Sequence, residues 1–345
     1  MQITLKHTTA GLAIVASLLF FGCNAHKSDK KSTTTKAKVQ QVATPVFNAD
    51  SAYQYINNQV DFGPRVPNTK EHTACAQYLA NELKRFGADV IVQEADVIAF
   101  DNSVLKAKNI IGQYNTNLKK RVLLCAHWDT RPFADHDRDP SKRDLAIDGA
   151  NDGASGVGVL LEIARQINIT QPNVGIDIIF FDAEDHGQPD HRNLPAIEND
   201  WCLGSQYWGK NPHVENYRAS YGILLDMVGA PNASFYFEGY SMSFNPGLVN
   251  YIWDIASEIG YDYHFKKERG HTITDDHVYV TQLRNFPCID IIQQVMEDRF
   301  DKNGDYINHS FGSYWHTHND NMSNIDKGTL KAVGQTVLEV IYREN

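Results

Sequence analysis

The sequence predicts one α/β domain, a largely parallel sheet lying between helices. Three observations point to it. Residues 122–126, 176–181 and 222–225 are short, strongly apolar runs, the signature of strands covered on both faces. Val157, Leu160, Leu161, Ala164 and Ile167 recur at helical spacing between the first two runs. The alternation of strand and helix then continues without a break in composition. A chain of 345 residues, 42% hydrophobic and 21% charged, can bury a sizeable core and is neither fibrous, disordered nor a disulfide scaffold. Its net charge of −10 argues against a nucleic-acid-binding surface.

The N-terminal segment has a separate character. Residues 10–22 form an apolar run that is too short to span a bilayer but suits the central region of a secretory signal. The run ends at Cys23 and resembles a bacterial lipoprotein processing site, although Phe20 and Phe21 stand where leucine and a small residue are usual. Residues 1–22 are read as a lipoprotein signal peptide. Cys23 is read as the lipid anchor, with ordinary signal cleavage as the alternative. Residues 23–45 become a flexible tether, rich in Lys, Ser, Thr and Gln. The expected location is an exported protein, lipid-anchored to a bacterial membrane and facing periplasm or exterior. Six of the 32 basic residues but one of the 42 acidic ones lie in this segment, so the body of the chain is more acidic than the whole.

From residue 46 to 345 a single domain is expected. Ala74, Tyr78, Leu79, Leu83 and Phe86 give one helix, closed by Gly87. Residues 287–292 are a fourth strand candidate. Asp326 is the N-cap of a last helix whose buried side carries Leu330, Val333, Val337 and Ile341. Residues 135–148, with alternating charge, read as a surface loop. Asp301-Lys302-Asn303-Gly304-Asp305 opens like a calcium loop, but Gly312 stands at the twelfth position, so a solvated turn is expected. Cys125 lies inside an apolar strand and packs there. Cys75, Cys125, Cys202 and Cys288 show no pairing pattern.

What each strand runs into carries the chemistry. The first ends at His127-Trp128-Asp129, the second at Asp182-Ala183-Glu184-Asp185, the third at Asp226. In open α/β sheets ligands bind beyond the carboxyl ends of the strands. Asn151-Asp152-Gly153, ahead of a helix, and Trp315-His316-Thr317, ahead of the last one, complete five contributions to one rim. Two histidines with several carboxylates and no cysteine suit Zn²⁺ in a catalytic site. Glu184 and Asp185 leave their strand in different directions, so one can hold metal while the other moves protons. His186, His191 and His277 are not taken as ligands, though His277 is near enough to support one.

Together these residues resemble the zinc-dependent exopeptidases of the aminopeptidase and glutaminyl cyclase type. The resemblance runs from Phe62-Gly63-Pro64-Arg65 to the C-terminus. It implies a twisted, mixed, largely parallel sheet. It also implies one of two chemistries. An aminopeptidase would bind two zinc ions, one through His127, Asp152 and Asp226, the other through Asp152, Asp185 and His316. A cyclase would bind one, through Asp152, Asp185 and His316. Leu225-Asp226-Met227-Val228-Gly229-Ala230-Pro231, Asp275-Asp276-His277, and Phe311 with Tyr314-Trp315-His316-Thr317 resemble the cyclase branch. On that reading Glu184 carries the proton, and Asp226 and Asp275 share protons with it. Trp201, Thr274, Phe311 and Trp315 then form the slot for the substrate side chain. Asp185 departs from the animal cyclases, which have Glu there.

The leading expectation is therefore a monomeric, one-zinc glutaminyl-peptide cyclotransferase. It would act on peptides or proteins with N-terminal Gln, with no nucleic-acid partner and a lipid as its link to the membrane. The alternatives are a di-zinc aminopeptidase and, in another class, a non-catalytic binding module.

Overall fold

In the computed structural model the described residues are 42–296, 299–300, 306–308 and 310–344. The expected signal peptide, Cys23 anchor, most of the expected tether and the expected 301–305 turn lie outside them. In chain order the helices are α1 (Ala49–Val60), α2 (Lys70–Arg85), α3 (Ala154–Ile169), α4 (Leu203–Lys210), α5 (Gly239–Phe244), α6 (Pro246–Glu258), α7 (Asp276–Arg284) and α8 (Lys327–Tyr342). The strands that concern the site are β1 (Asp89–Ile98), β2 (Val104–Tyr114), β3 (Arg121–His127), β4 (Gly175–Phe181), β5 (Tyr221–Asp226), β6 (Phe235–Phe237), β7 (Phe265–Arg269) and β8 (Cys288–Ile292).

Six strands form one sheet in the order β1-β2-β4-β3-β5-β8. The β4-β3-β5-β8 portion is parallel, and β2 and β1 continue it in antiparallel pairing. All four expected strands are present. Along β3 the side chains alternate between two cores. Val122, Leu124 and Ala126 face a large cluster with α1, α3, α6 and α8, while Leu123 and Cys125 face a smaller one with Trp208, Tyr217 and Val280. Coverage on both faces is why these runs carry so few polar residues.

The antiparallel β1 and β2 escaped the sequence reading because β1 is an edge, with most side chains half-buried or exposed and no continuous apolar run. Two further readings change. Ala74 is exposed, and the buried side of α2 is His72, Cys75, Ala76, Leu79, Ala80 and Leu83. The 135–148 segment is a surface loop in its middle only: Asp135 and Ile147 are buried, so its ends turn inward. The end of the expected tether is also held. Thr44 Oγ1 donates to Glu339 and Gln335 donates to the Pro45 carbonyl, which fixes this stretch on α8.

Helix ends place the site. α8 is capped by Asp326, whose side chain accepts from Thr329 N–H at 2.8 Å, as expected. α3 begins after Gly153, which adopts φ +94°, and a Cβ there would meet the Asp129 carbonyl at 2.7 Å. Glycine is therefore required at that point, and it lets Asp152 sit directly beyond the end of β3. The four buried cysteines are free.

Candidate metal centre and active site

Two aspartates from neighbouring segments hold the backbone of the site. Asp129, two residues past β3, accepts from the N–H groups of Glu184 (3.1 Å) and Asp185 (3.2 Å). Ala183 before them is left-handed at φ +52°, so the chain turns sharply off β4. Asp320 accepts from the N–H groups of Asn151 (2.7 Å) and Asp152 (3.0 Å). The sequence reading singled out neither as a support, because each contacts main chain far away in the sequence.

The side chains converge on Asp152. His127 Nε2 lies 3.0 Å from Asp152 Oδ1 and 3.3 Å from Asp226 Oδ1. His316 Nε2 lies 3.7 Å from Asp152 Oδ2 and 3.4 Å from Asp185 Oδ1. His127–Asp152–Asp226 and Asp152–Asp185–His316 each offer ligand atoms within 4.8 Å of one another. With zinc–ligand bonds of about 2.0–2.1 Å, tetrahedral ligands lie about 3.3 Å apart, and the shorter edges match that spacing. Asp185 Oδ2 is buried without a hydrogen-bond partner, as expected of an oxygen facing a cation. Both donor sets thus fit zinc.

A buried cation organises the rest. Arg131 binds Asp135 at 3.0 and 2.6 Å, and Asp135 Oδ1 lies 3.2 Å from His316 Nδ1. The same guanidinium donates to the carbonyls of Asp185 (3.1 Å), Gly187 (3.4 Å) and Gln188 (3.0 Å). Its carbon lies 4.5 Å from the centroid of the Trp201 ring. The carboxylate behind His316 sets which ring nitrogen faces the metal position. Gly187 is needed here because any Cβ would run into the Trp201 indole.

A cavity of about 520 Å³ opens over these groups. Every expected slot residue lines it: Trp201, Thr274, Phe311 and Trp315, together with Glu184, Asp226 and Asp275. The Trp201 and His316 rings are parallel within 8° at 6.2 Å, and Trp315 packs on His316 at 3.7 Å and on Phe311 at 4.9 Å. Glu184 and Asp185 diverge as expected, Asp185 toward His316 and Glu184 toward Asp275 and Cys202. Burial pushes Glu184 well above the usual carboxylate range, and Asp275 and Asp185 add to this against the pull of His127. Burial, with Asp226 adding to it, pushes Asp275 up to about 7. Asp226 is raised by the same burial. His127 is raised well above its ordinary value. Burial alone would lower it, but hydrogen bonds to Asp129, Asp152 and Asp226 outweigh that.

The histidines set aside as ligands stand apart. His191 pairs with Asp144 at 2.9 Å, and His186 belongs to neither donor set. His277 is buried against Glu238 at 3.1 Å, with Asp275 and Asp290 nearby.

The chain matches the family model described as "Peptidase family M28" over residues 109–341. It is 57% identical to a Zn-dependent exopeptidase structure from Parabacteroides distasonis, which covers 88% of this chain and 100% of its own at a TM-score of 0.83. It is 56% identical to Bacteroides thetaiotaomicron glutaminyl cyclase bound to N-acetylhistamine, with the same coverage and TM-score. It is 25% identical over 312 residues to the glutaminyl-peptide cyclotransferase of Bos taurus, 81% of this chain and 78% of that one.

Two outcomes are expected from this geometry. Asp135→Asn weakens zinc binding about 10–100-fold in chelator competition, because the His316 ring loses the anionic partner behind it. Unchanged affinity would remove Asp135 from the site. Chelation is also expected to lower the Tm more at about pH 8 than at about pH 5. Asp275 and Asp320 are both raised to about 7, above their values in the unfolded chain. The metal-free protein holds these protons without cost in acid and loses stability as pH rises toward 7. A bound cation offsets that charge. Equal shifts at the two pH values would contradict the assignment.

Proposed function

The chain belongs to peptidase family M28, and from that membership and the cavity we propose that it is a zinc-dependent glutaminyl-peptide cyclotransferase. It closes N-terminal glutamine to pyroglutamate. The observation that carries the reading is the aromatic slot: Trp201, Phe311 and Trp315 line one cavity with Glu184 and the Asp152–Asp185–His316 set.

The α-amine nitrogen attacks the glutamine γ-carbonyl carbon, the new N–C bond closes the ring, and the C–NH₂ bond breaks to release ammonia. Glu184 takes the proton shed by the amine and returns it to the leaving nitrogen. Asp226 and Asp275, each raised by burial, cannot all be ionised together with Glu184, so the three share protons as one unit. The aromatic walls hold the side chain curled for an attack that is already intramolecular. Zinc held by Asp152, Asp185 and His316 would supply Lewis-acid polarisation of the carbonyl oxygen.

One zinc per chain is the count we propose. In support, Asp275-Asp276-His277 and Phe311 with Tyr314-Trp315-His316-Thr317 resemble the cyclase branch, which would bind one zinc through Asp152, Asp185 and His316. A di-zinc aminopeptidase is the second reading, favoured by the ligand spacing of His127, Asp152 and Asp226. A binding module would not need both donor sets and a free Glu184. A monomer is the state we propose, to be checked by the mass of the protein in solution.

Incubation with a Gln-initiated peptide is expected to yield a product lighter by one ammonia, with about one zinc per chain. Release of a free amino acid with two zinc ions would replace this reading with the aminopeptidase. Glu184→Gln is expected to keep zinc and lose about 10²–10⁴ in turnover.

For location, we propose export and lipidation at Cys23, supported by the apolar run ahead of that residue. No helix of the described residues is long and apolar enough to cross a membrane. Growth with a labelled fatty acid is expected to mark the full-length protein and not its Cys23→Ala variant. Label on both would overturn the anchor.

A further inference from the structure

Glu184 has a neighbour that the reaction scheme leaves unused. Cys202 Sγ lies 3.1 Å from Glu184 Oε1, within hydrogen-bonding reach for a thiol donor. The contact is held from both sides by main chain. Cys202 N–H donates to the Glu184 carbonyl and Leu203 N–H to the Ala183 carbonyl, each at 3.0 Å. The segment after Trp201 is thereby clamped onto the turn that presents Glu184. Cys202 adopts φ +57°, a left-handed conformation uncommon for a residue with a side chain. That backbone turns its sulfur toward the carboxyl group.

The two residues occupy different sides of the cavity wall. Glu184 lines the cavity, whereas Cys202 is fully buried and does not. The carboxyl group of Asp275 completes the cluster, its oxygen within 4.8 Å of both. Among the described residues, Cys202 is the side chain seen to hydrogen-bond the Glu184 carboxyl group. A carboxyl group without such a contact rotates freely about its last bond. A proton carrier misplaced by about 1 Å can cost about 10²-fold in rate.

We propose that Cys202 is a positioning residue for proton transfer: from behind the cavity wall its thiol donates to Glu184 Oε1 and leaves Oε2 facing the substrate amine. The thiol stays protonated and able to donate, because burial and the adjacent Glu184 raise it well above its ordinary value. Cys202 is not a nucleophile in this scheme and touches no reacting atom. This role rests on the reading of Glu184 as the proton carrier.

The test compares Cys202→Ala and Cys202→Ser in the zinc-loaded protein, each alone and combined with Glu184→Gln, on a Gln-initiated peptide. Cys202→Ala is expected to lower kcat about tenfold with KM within about twofold, at unchanged zinc content and Tm. Cys202→Ser keeps a donor and is expected to regain most of the loss. In the Glu184→Gln background the alanine change is expected to cost nothing further, since the group it orients is gone. If the alanine variant does not fold, Cys202→Gly suits the left-handed backbone and equally removes the donor. Wild-type kcat in the donor-less variant, an equal loss for Ala and Ser, or an undiminished loss beside Glu184→Gln would each overturn the proposal. Wild-type turnover in the same assay tests the cyclase reading separately. Should the wild type release an amino acid instead, the same comparison is made on that reaction, where Glu184 would also carry the proton.

Discussion

The interaction on which the site most depends is the buried ion pair of Arg131 and Asp135. The guanidinium is wholly buried, and its hydrogen bonds are spent on Asp135 and on three carbonyls of the segment after β4. One end of this pair orients His316 and the other fixes the Asp185 main chain. The flat face carries Trp201. The histidine of one donor set, the backbone of an aspartate in the same set and one wall of the cavity are thus tied to a single planar cation. Lysine could not replace it, since a point charge cannot serve a carboxylate at two atoms and stack on an indole. Breaking such a buried pair from one side typically costs about 3–5 kcal/mol.

Around that pair the site concentrates more negative charge than burial tolerates. Asp152, Asp185, Asp226, Asp275, Asp276 and Asp290 are all buried, and all but Asp152 lie above their ordinary values, with burial the first cause. Asp152 is the exception. Burial would raise it, but His127, His316 and Arg131 hold it down. The carboxylate flanked by both histidines is therefore the one of the six that is not raised by burial. A cation binds most strongly where such a cluster has no other counter-charge.

Much of this was legible beforehand, and the reason is the sheet. A parallel strand buried on both faces must be apolar until it leaves the core, so the first polar residues after β3, β4 and β5 mark the functional rim. His127, Glu184, Asp185 and Asp226 were found in that way. Asp152 and His316 came from glycine and aromatic context at helix starts. The antiparallel strands β1 and β2 were not found, because β1 is an edge that need not be apolar and polar residues interrupt both. Asp129, Asp320, Arg131 and Cys202 were also missed as supports of the site. Each acts on main chain or on a side chain remote in sequence, and a one-dimensional pattern carries no trace of such a contact. Asp135 was misplaced on the surface because charge alternation looks the same whether or not one acid finds a buried partner.

By itself the sequence determined the fold class and pointed to the candidate metal donors and to the separation of Glu184 from Asp185, because strand burial and strand direction are written in local composition. Only the tertiary structure decided that Arg131 ties Asp135 to the segment after β4, that Asp129 and Asp320 hold the main chain of the site, and that a thiol stands behind Glu184. Those facts depend on distances between segments that are far apart in the chain. Such distances are set by packing of the whole domain, with glycines at 153 and 187 admitting close approaches at the site.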